Sequence, residues 1–136
     1  RQHVDFYIAA TVSALNVLHV LDFHREWVEL GLIEAKDFNV NICQDSNWYR
    51  VDIYPPAFKE KVLIPAYEKH IAWLEPQDKL QRATNGFKSV INFMRAQDQS
   101  ELYPKFISET NKLDKLRGEN TWETFPELIL SNYDLT

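Results

Sequence analysis

Apolar and polar positions along this chain change period twice within its first third. From Val4 to Val12 the run is nearly continuous in apolar character, and β-branched and aromatic residues dominate it. That pattern predicts a central strand covered on both faces, with Asp5 near its solvent end. From Val17 the spacing becomes helical. Val17, Val20, Leu21, Trp27 and Val28 share one stripe, widened by Leu18, Phe23 and Leu30. His19, Asp22, Arg25, Glu26 and Glu29 take the other face, and Gly31 stands where such a helix ends. Phe38 to Cys43 then alternates with period two, which predicts a second strand. Strand, helix and strand in this order make a βαβ unit with parallel strands.

The remainder reads as mostly helical. Gln44 to Asn47 is a polar turn, and Trp48 to Tyr54 reads as a third short strand ended by Pro55-Pro56. Pro56 opens a helix through Lys59, Lys61 and Leu63 that Pro65 breaks or kinks. Tyr67, His70, Ile71 and Leu74 follow at helical spacing. Asp78 caps a helix over 79–97, whose inward positions are Leu80, Phe87, Val90, Ile91 and Met94, with Gly86 as a discordant interior residue. Ser100 caps the next helix, over 101–117, with an Asp114–Arg117 pair and Gly118 as its stop. The tail from Thr121 docks Trp122, Phe125 and Leu128 and then frays. The expected fold is α/β: a βαβ front over 1–54 and a helical part over 55–136, packed as a single domain.

Composition narrows the partners. A net charge of -5 argues against binding to a phosphate backbone or an anionic membrane surface, so neither nucleic acid nor membrane is an expected partner. No apolar run approaches the roughly 20 residues of a membrane span, and no signal-peptide pattern opens the chain. The single cysteine, Cys43, forms no internal disulfide, and a cytoplasmic setting is the expectation. The chain begins at Arg1, within a few residues of its first strand, and so reads as a piece of something longer.

Little on the chain carries chemistry by itself. His19, Asp22 and Glu26 share a helical face, but Arg25 sits among them, and a solvated surface is the better reading. His24-Arg25-Glu26 matches half of the zinc deaminase signature, whose cysteine half is missing. Cys43 reads as a buried, inert thiol. No phosphate-cradling glycine loop and no nucleophile elbow occur. Trp27, Trp48, Trp73 and Trp122 read as core or interface anchors. The turn Thr11-Val12-Ser13-Ala14-Leu15-Asn16 remains, at the end of the first strand. Its hydroxyl and amide groups either cap the following helix or meet a ligand at the carboxyl edge of the sheet.

The order Ile8-Ala9-Ala10-Thr11-Val12-Ser13-Ala14-Leu15-Asn16, a helix, Phe38-Asn39-Val40-Asn41-Ile42-Cys43-Gln44, Trp48-Tyr49-Arg50-Val51, then Tyr54-Pro55-Pro56 and a lysine-bearing helix resembles the later part of radical SAM proteins of the SPASM/twitch type. It is similar in particular to short twitch members from marine microbes and phages. Phe106-x3-Thr110-x2-Leu113-Asp114-x2-Arg117 followed by Phe125-Pro126-Glu127 resembles their closing pattern. The resemblance implies that the two strands end a partial six-stranded β/α barrel. It also implies that an intact parent binds S-adenosylmethionine and a [4Fe–4S] cluster through C-x3-C-x2-C. This chain lacks that motif, so no cofactor is expected in it and it is not a self-sufficient radical enzyme. Ser13 and Asn16 are the residues that the resemblance places on a cofactor-facing rim, in the intact parent only.

The expected partner is the upstream part of the same polypeptide, or a second copy covering an open sheet edge. Two other classes remain open: a non-enzymatic α/β interaction module, and a small-molecule-binding domain that uses the Thr11–Asn16 turn without iron.

Overall fold

In a computed structural model, residues 7–136 of the chain are described. Strand β1 (Ile8–Val12) pairs in parallel with β2 (Phe38–Ile42), with Ile8 opposite Phe38 and Val12 opposite Ile42. Helix α1 (His19–Glu29) connects them. The βαβ unit is therefore present, on a two-stranded sheet. The part of the first predicted strand over 4–6 lies outside the described residues.

The register sorts side chains by face. Ile8, Ala10, Val12, Phe38, Val40 and Ile42 point towards the core, whereas Ala9, Thr11, Asn39 and Asn41 are exposed. The expectation that β1 is covered on both faces is thus corrected. His24 of α1 stacks on Phe38, and α4 packs on the Val40 side, so both helices cover the same face of the sheet.

Trp48 to Tyr54 is not a strand. It forms two 3-10 turns, Asn47–Tyr49 and Val51–Ile53, with the extended Arg50 between them. Val51 to Tyr54 are all buried, without the alternation a half-covered strand shows. The coiled path lets Tyr49 offer its carbonyl to the Ala14 N–H at 2.7 Å.

Pro65 does not end a helix either. Helix α2 (Pro56–Phe58), a π-helical segment (Lys59–Leu63) and α3 (Ile64–Leu74) run on without interruption. A proline has no N–H and crowds the preceding turn; widening that turn to π geometry is one way a helix absorbs both faults. Pro65 then sits in the first turn of α3, where its missing donor costs least.

Helix α4 (Arg82–Ala96) buries Ala83, Phe87, Val90, Ile91 and Met94. Asp78 does serve its N-terminus, from four residues upstream: Oδ2 accepts from the Thr84 N–H and the Thr84 hydroxyl, both at 2.8 Å. Gly86 is explained by a close approach, since a Cβ there would stand 2.9 Å from Val40 Cβ. Helix α5 (Tyr103–Arg117) follows a 3-10 turn, Ser100–Leu102, and the Ser100 side chain does not cap it. Gly118 ends it in the left-handed region at φ 66°. Asp114 turns to Thr121, accepting from its N–H at 2.8 Å and its hydroxyl at 2.7 Å, in place of the expected pairing with Arg117.

The tail is held to its end rather than frayed. After the short α6 (Thr121–Thr124), Leu128 is buried, Tyr133 packs edge-on to Phe58, and Lys61 donates to the Thr136 carbonyl. One cluster of buried apolar side chains draws on β1, α1, β2 and the helices through Leu128.

Candidate site at the carboxyl edge of the sheet

Parallel pairing brings the ends of β1 and β2 to one edge, where the turn after β1 meets the segment after β2. Ser13 and Asn16 lie together in that turn. Asn16 Oδ1 accepts from the Ser13 N–H at 2.8 Å, and Asn16 Nδ2 donates to the Thr11 carbonyl at 2.9 Å. Ser13 Oγ accepts from the Leu15 N–H at 3.3 Å. Neither side chain caps α1, whose N-cap, Leu18, has no side-chain bond. The two residues staple the turn to itself.

Core hydroxyls fix the turn from beneath. Tyr54 donates to the Ala14 carbonyl and Tyr67 to the Val17 carbonyl at 2.7 Å. Both phenols are fully buried, and burial pushes their ionisation well up, so they act as permanent donors. The turn between β1 and α1 is thereby tied to the segment that precedes α2 and to α3.

On the β2 side, the Cys43 N–H donates to the Val12 carbonyl at 2.9 Å and its thiol lies 3.4 Å from the Asp45 carbonyl. Cys43 is partly exposed, not buried as its strand pattern implied. Ser46 adopts φ 52°, a backbone region that costs energy for a side chain with a Cβ. Beyond it, Trp48 Nε1, Arg50 Nε and Asp52 Oδ1 are buried without partners, although Asp52 Oδ2 pairs with Arg50 at 2.7 Å. Lys59 reaches the Gln97 carbonyl at 3.0 Å, and burial lowers its pKa. The turn after β1 is thus bonded to itself, Ser46 is strained, and three buried polar atoms in the segment beyond it lack partners; no nucleophile and base are assembled among these residues.

A second polar feature escapes pattern reading. His24 Nδ1 lies 2.9 Å from His70 Nε2, and His24 Nε2 lies 3.0 Å from the Ala35 carbonyl. The pair is boxed by Phe38, Phe87 and Trp73. Burial holds His24 down to about 4 and His70 to about 3, with the neighbouring imidazole and Arg25 adding to the His70 shift, so both rings are neutral near pH 7. His70 sits on the inward stripe of its helix. Its meeting with His24, 46 positions away, leaves no trace in either helix's spacing.

His19, Asp22 and Glu26 are exposed, in keeping with a solvated helix face. Among the described residues no group of three or more His, Cys, Asp or Glu side chains is placed to hold a metal ion, and no helix is long and apolar enough to cross a membrane. Comparison of the chain with protein-family models, with curated proteins and with solved structures finds no match to any of them.

Proposed function

We propose that this chain is the C-terminal segment of an enzyme domain resembling SPASM/twitch radical SAM proteins. In this reading it supplies the last two strands of a partial β/α barrel and the helices appended to them, and is not catalytic by itself. The observation that carries the reading is the open sheet face. Parallel sheets occur almost only with both faces covered, yet here the face opposite α1 and α4 carries exposed Ala9, Thr11, Asn39 and Asn41. Small and polar side chains on the face away from the helices differ from the branched apolar residues that fill a closed β/α barrel, and they suit a partial barrel whose interior is left open to a ligand.

The lone Cys43 does not fit a [4Fe–4S] cluster, which needs several thiolates. The cluster ligands would come from the upstream part of the polypeptide, and no step is assigned to a cluster or to S-adenosylmethionine here. Ser13 and Asn16 act in this reading by holding the rim turn in shape, because their own polar atoms bond within it. Upstream strands would add at the free edge of β1. A cytoplasmic setting, without a nucleic-acid or membrane partner, belongs to the same reading.

The test is the DNA upstream of Arg1. An open reading frame encoding C-x3-C-x2-C is the expected result, and a stop codon directly upstream with no such motif would sink the proposal. A second reading, a non-enzymatic module that self-associates, draws on the same unpaired strand edges. Light scattering tests this second reading: a monomer at every concentration would count against it.

A further inference from the structure

Helix α5 and the C-terminal tail form a cleft of about 490 Å³ between them. Tyr103 and Ile107 of α5, Trp122 of α6 and Leu128 to Ser131 of the tail line it. None of these belongs to the turn after β1 or to the histidine pair. The volume falls in the range of about 300–1,000 Å³ that holds small organic ligands.

The cleft is shaped by the way the tail is held. Its turns, Thr121–Thr124, Pro126–Leu128 and Leu130–Asn132, are too short to fix themselves, and side chains do so. Asp114 holds Thr121 by two bonds, and Asn120 Oδ1 accepts from the Trp122 N–H at 3.1 Å. Asn111 Oδ1 accepts from Trp122 Nε1–H at 2.8 Å, which anchors the indole to α5. Asn132 Nδ2 donates to the Pro126 carbonyl at 3.3 Å, and the Tyr133 hydroxyl to the Glu127 carbonyl at 2.6 Å. The buried Phe106 ring packs at 6.2 Å from Tyr103 and edge-on at 6.0 Å from Trp122. The walls are therefore preformed, and a ligand that enters orders little else.

The lining selects the chemistry of that ligand. Among the described residues that line the cleft, none carries a charge. The indole N–H is already engaged, which leaves the Tyr103 and Ser131 hydroxyls as polar side-chain groups. A charged ligand group would lose its hydration there without a partner. An aromatic ring instead meets Tyr103 and Trp122 in offset or edge-on contact and buries apolar surface on Ile107 and Leu130. Ser108, Glu123 and Asn132, the next residues after Ile107, Trp122 and Ser131, are exposed and polar. A standard protein interface buries about 800 Å² on each partner. An apolar cleft edged this closely by polar residues fits a small molecule better.

From this lining we infer that the cleft binds an uncharged aromatic molecule of one or two rings. Any polar substituent turns to the exposed Ser131. The inference does not depend on the barrel reading, because no residue of the sheet lines the cleft.

The test is titration of the full chain with indole at pH 7, followed by NMR of the isoleucine and leucine methyl groups. Saturable shifts at Ile107, Leu128, Ile129 and Leu130 are expected, with binding several-fold tighter than that of indole-3-carboxylate. Ile107→Glu and Leu130→Glu each place a carboxylate in the cleft. Each should weaken binding several-fold while far-UV circular dichroism stays unchanged, and either serves if the other is misfolded. Absence of a saturable shift, shifts confined to other methyl groups, or equal affinity for indole-3-carboxylate would overturn the inference. So would unchanged binding in the folded variants. Methyl signals of the cleft that move with protein concentration in the absence of indole would overturn it too, by placing a second copy there.

Discussion

Gly86 of α4 and Val40 of β2 are in such close contact that a Cβ on Gly86 would stand 2.9 Å from Val40 Cβ and 3.3 Å from its Cγ2. The obstructing atom is the branch point of a side chain on a paired strand, so it cannot swing away. Gly86 is what allows α4 to lie directly on β2.

Gly86→Ala tests this relationship. In an exposed helix the change would stabilise by about 1 kcal/mol through helix propensity. Here overpacking, typically about 1–3 kcal/mol, opposes that gain and exceeds it. The expected outcome is a lower urea midpoint with unchanged m-value. A higher midpoint would mean that α4 sits further from the sheet than described.

The His24–His70 pair predicts a pH dependence whose sign follows from its burial. Both folded values lie below the ordinary histidine value of 6.5. Below that value the unfolded chain binds protons that the folded pair does not, so stability falls as pH drops from 6.5 towards 4. Urea unfolding should show a loss of roughly 4 kcal/mol between about pH 7 and pH 5, about half of it from each ring. His70→Gln, which keeps a donor for His24 Nδ1 and removes one titrating ring, should shrink the slope by about half.

Asn16 makes both bonds that close the turn after β1, whereas Ser13 contributes one longer bond through Oγ. Asn16→Ala should therefore cost about 1–2 kcal/mol, and Ser13→Ala well under 1 kcal/mol. Equal losses in thermal melts would show that the turn is not held as described.

Asp78 is buried, and its Oδ2 accepts hydrogen bonds from both the backbone N–H and the hydroxyl of Thr84. Asp78→Ala leaves both donors unpaired at the start of α4 and should destabilise by about 1–2 kcal/mol. Hydrogen exchange localises the effect: the expected acceleration begins at the Thr84 amide and is greatest in the first turns of α4.

Much of the architecture was legible as pattern. The period-two alternation of Phe38 to Ile42 and the helical stripe through Val20 and Leu21 both name their elements, because each depends on one face meeting apolar surface. Gly118 likewise marks a helix end, since a positive φ suits a residue without a Cβ. Pro65 misled because the cost of a proline can be absorbed by a wider turn, which depends on how the turn packs. Asp114 misled for a related reason: its neighbour on the helix, Arg117, competes with Thr121, which the chain reversal at Gly118 brings within 2.8 Å.

The candidate sites were less legible. Ser13 and Asn16 were found as polar groups at a strand end, but their mutual bonding depends on the conformation of the turn and not on composition. Sequence by itself determined the βαβ unit, the helical remainder, the lone thiol and the absence of a cluster motif, because these follow from local periodicity or from counting residues. Only the tertiary structure decided which sheet face stays open, why α4 carries a glycine, and that two histidines 46 positions apart share a hydrogen bond. The physical reason is common to all three. Close packing and buried hydrogen bonds are relations between surfaces brought together by the fold, and neither partner carries a mark of the other in its own stretch of chain.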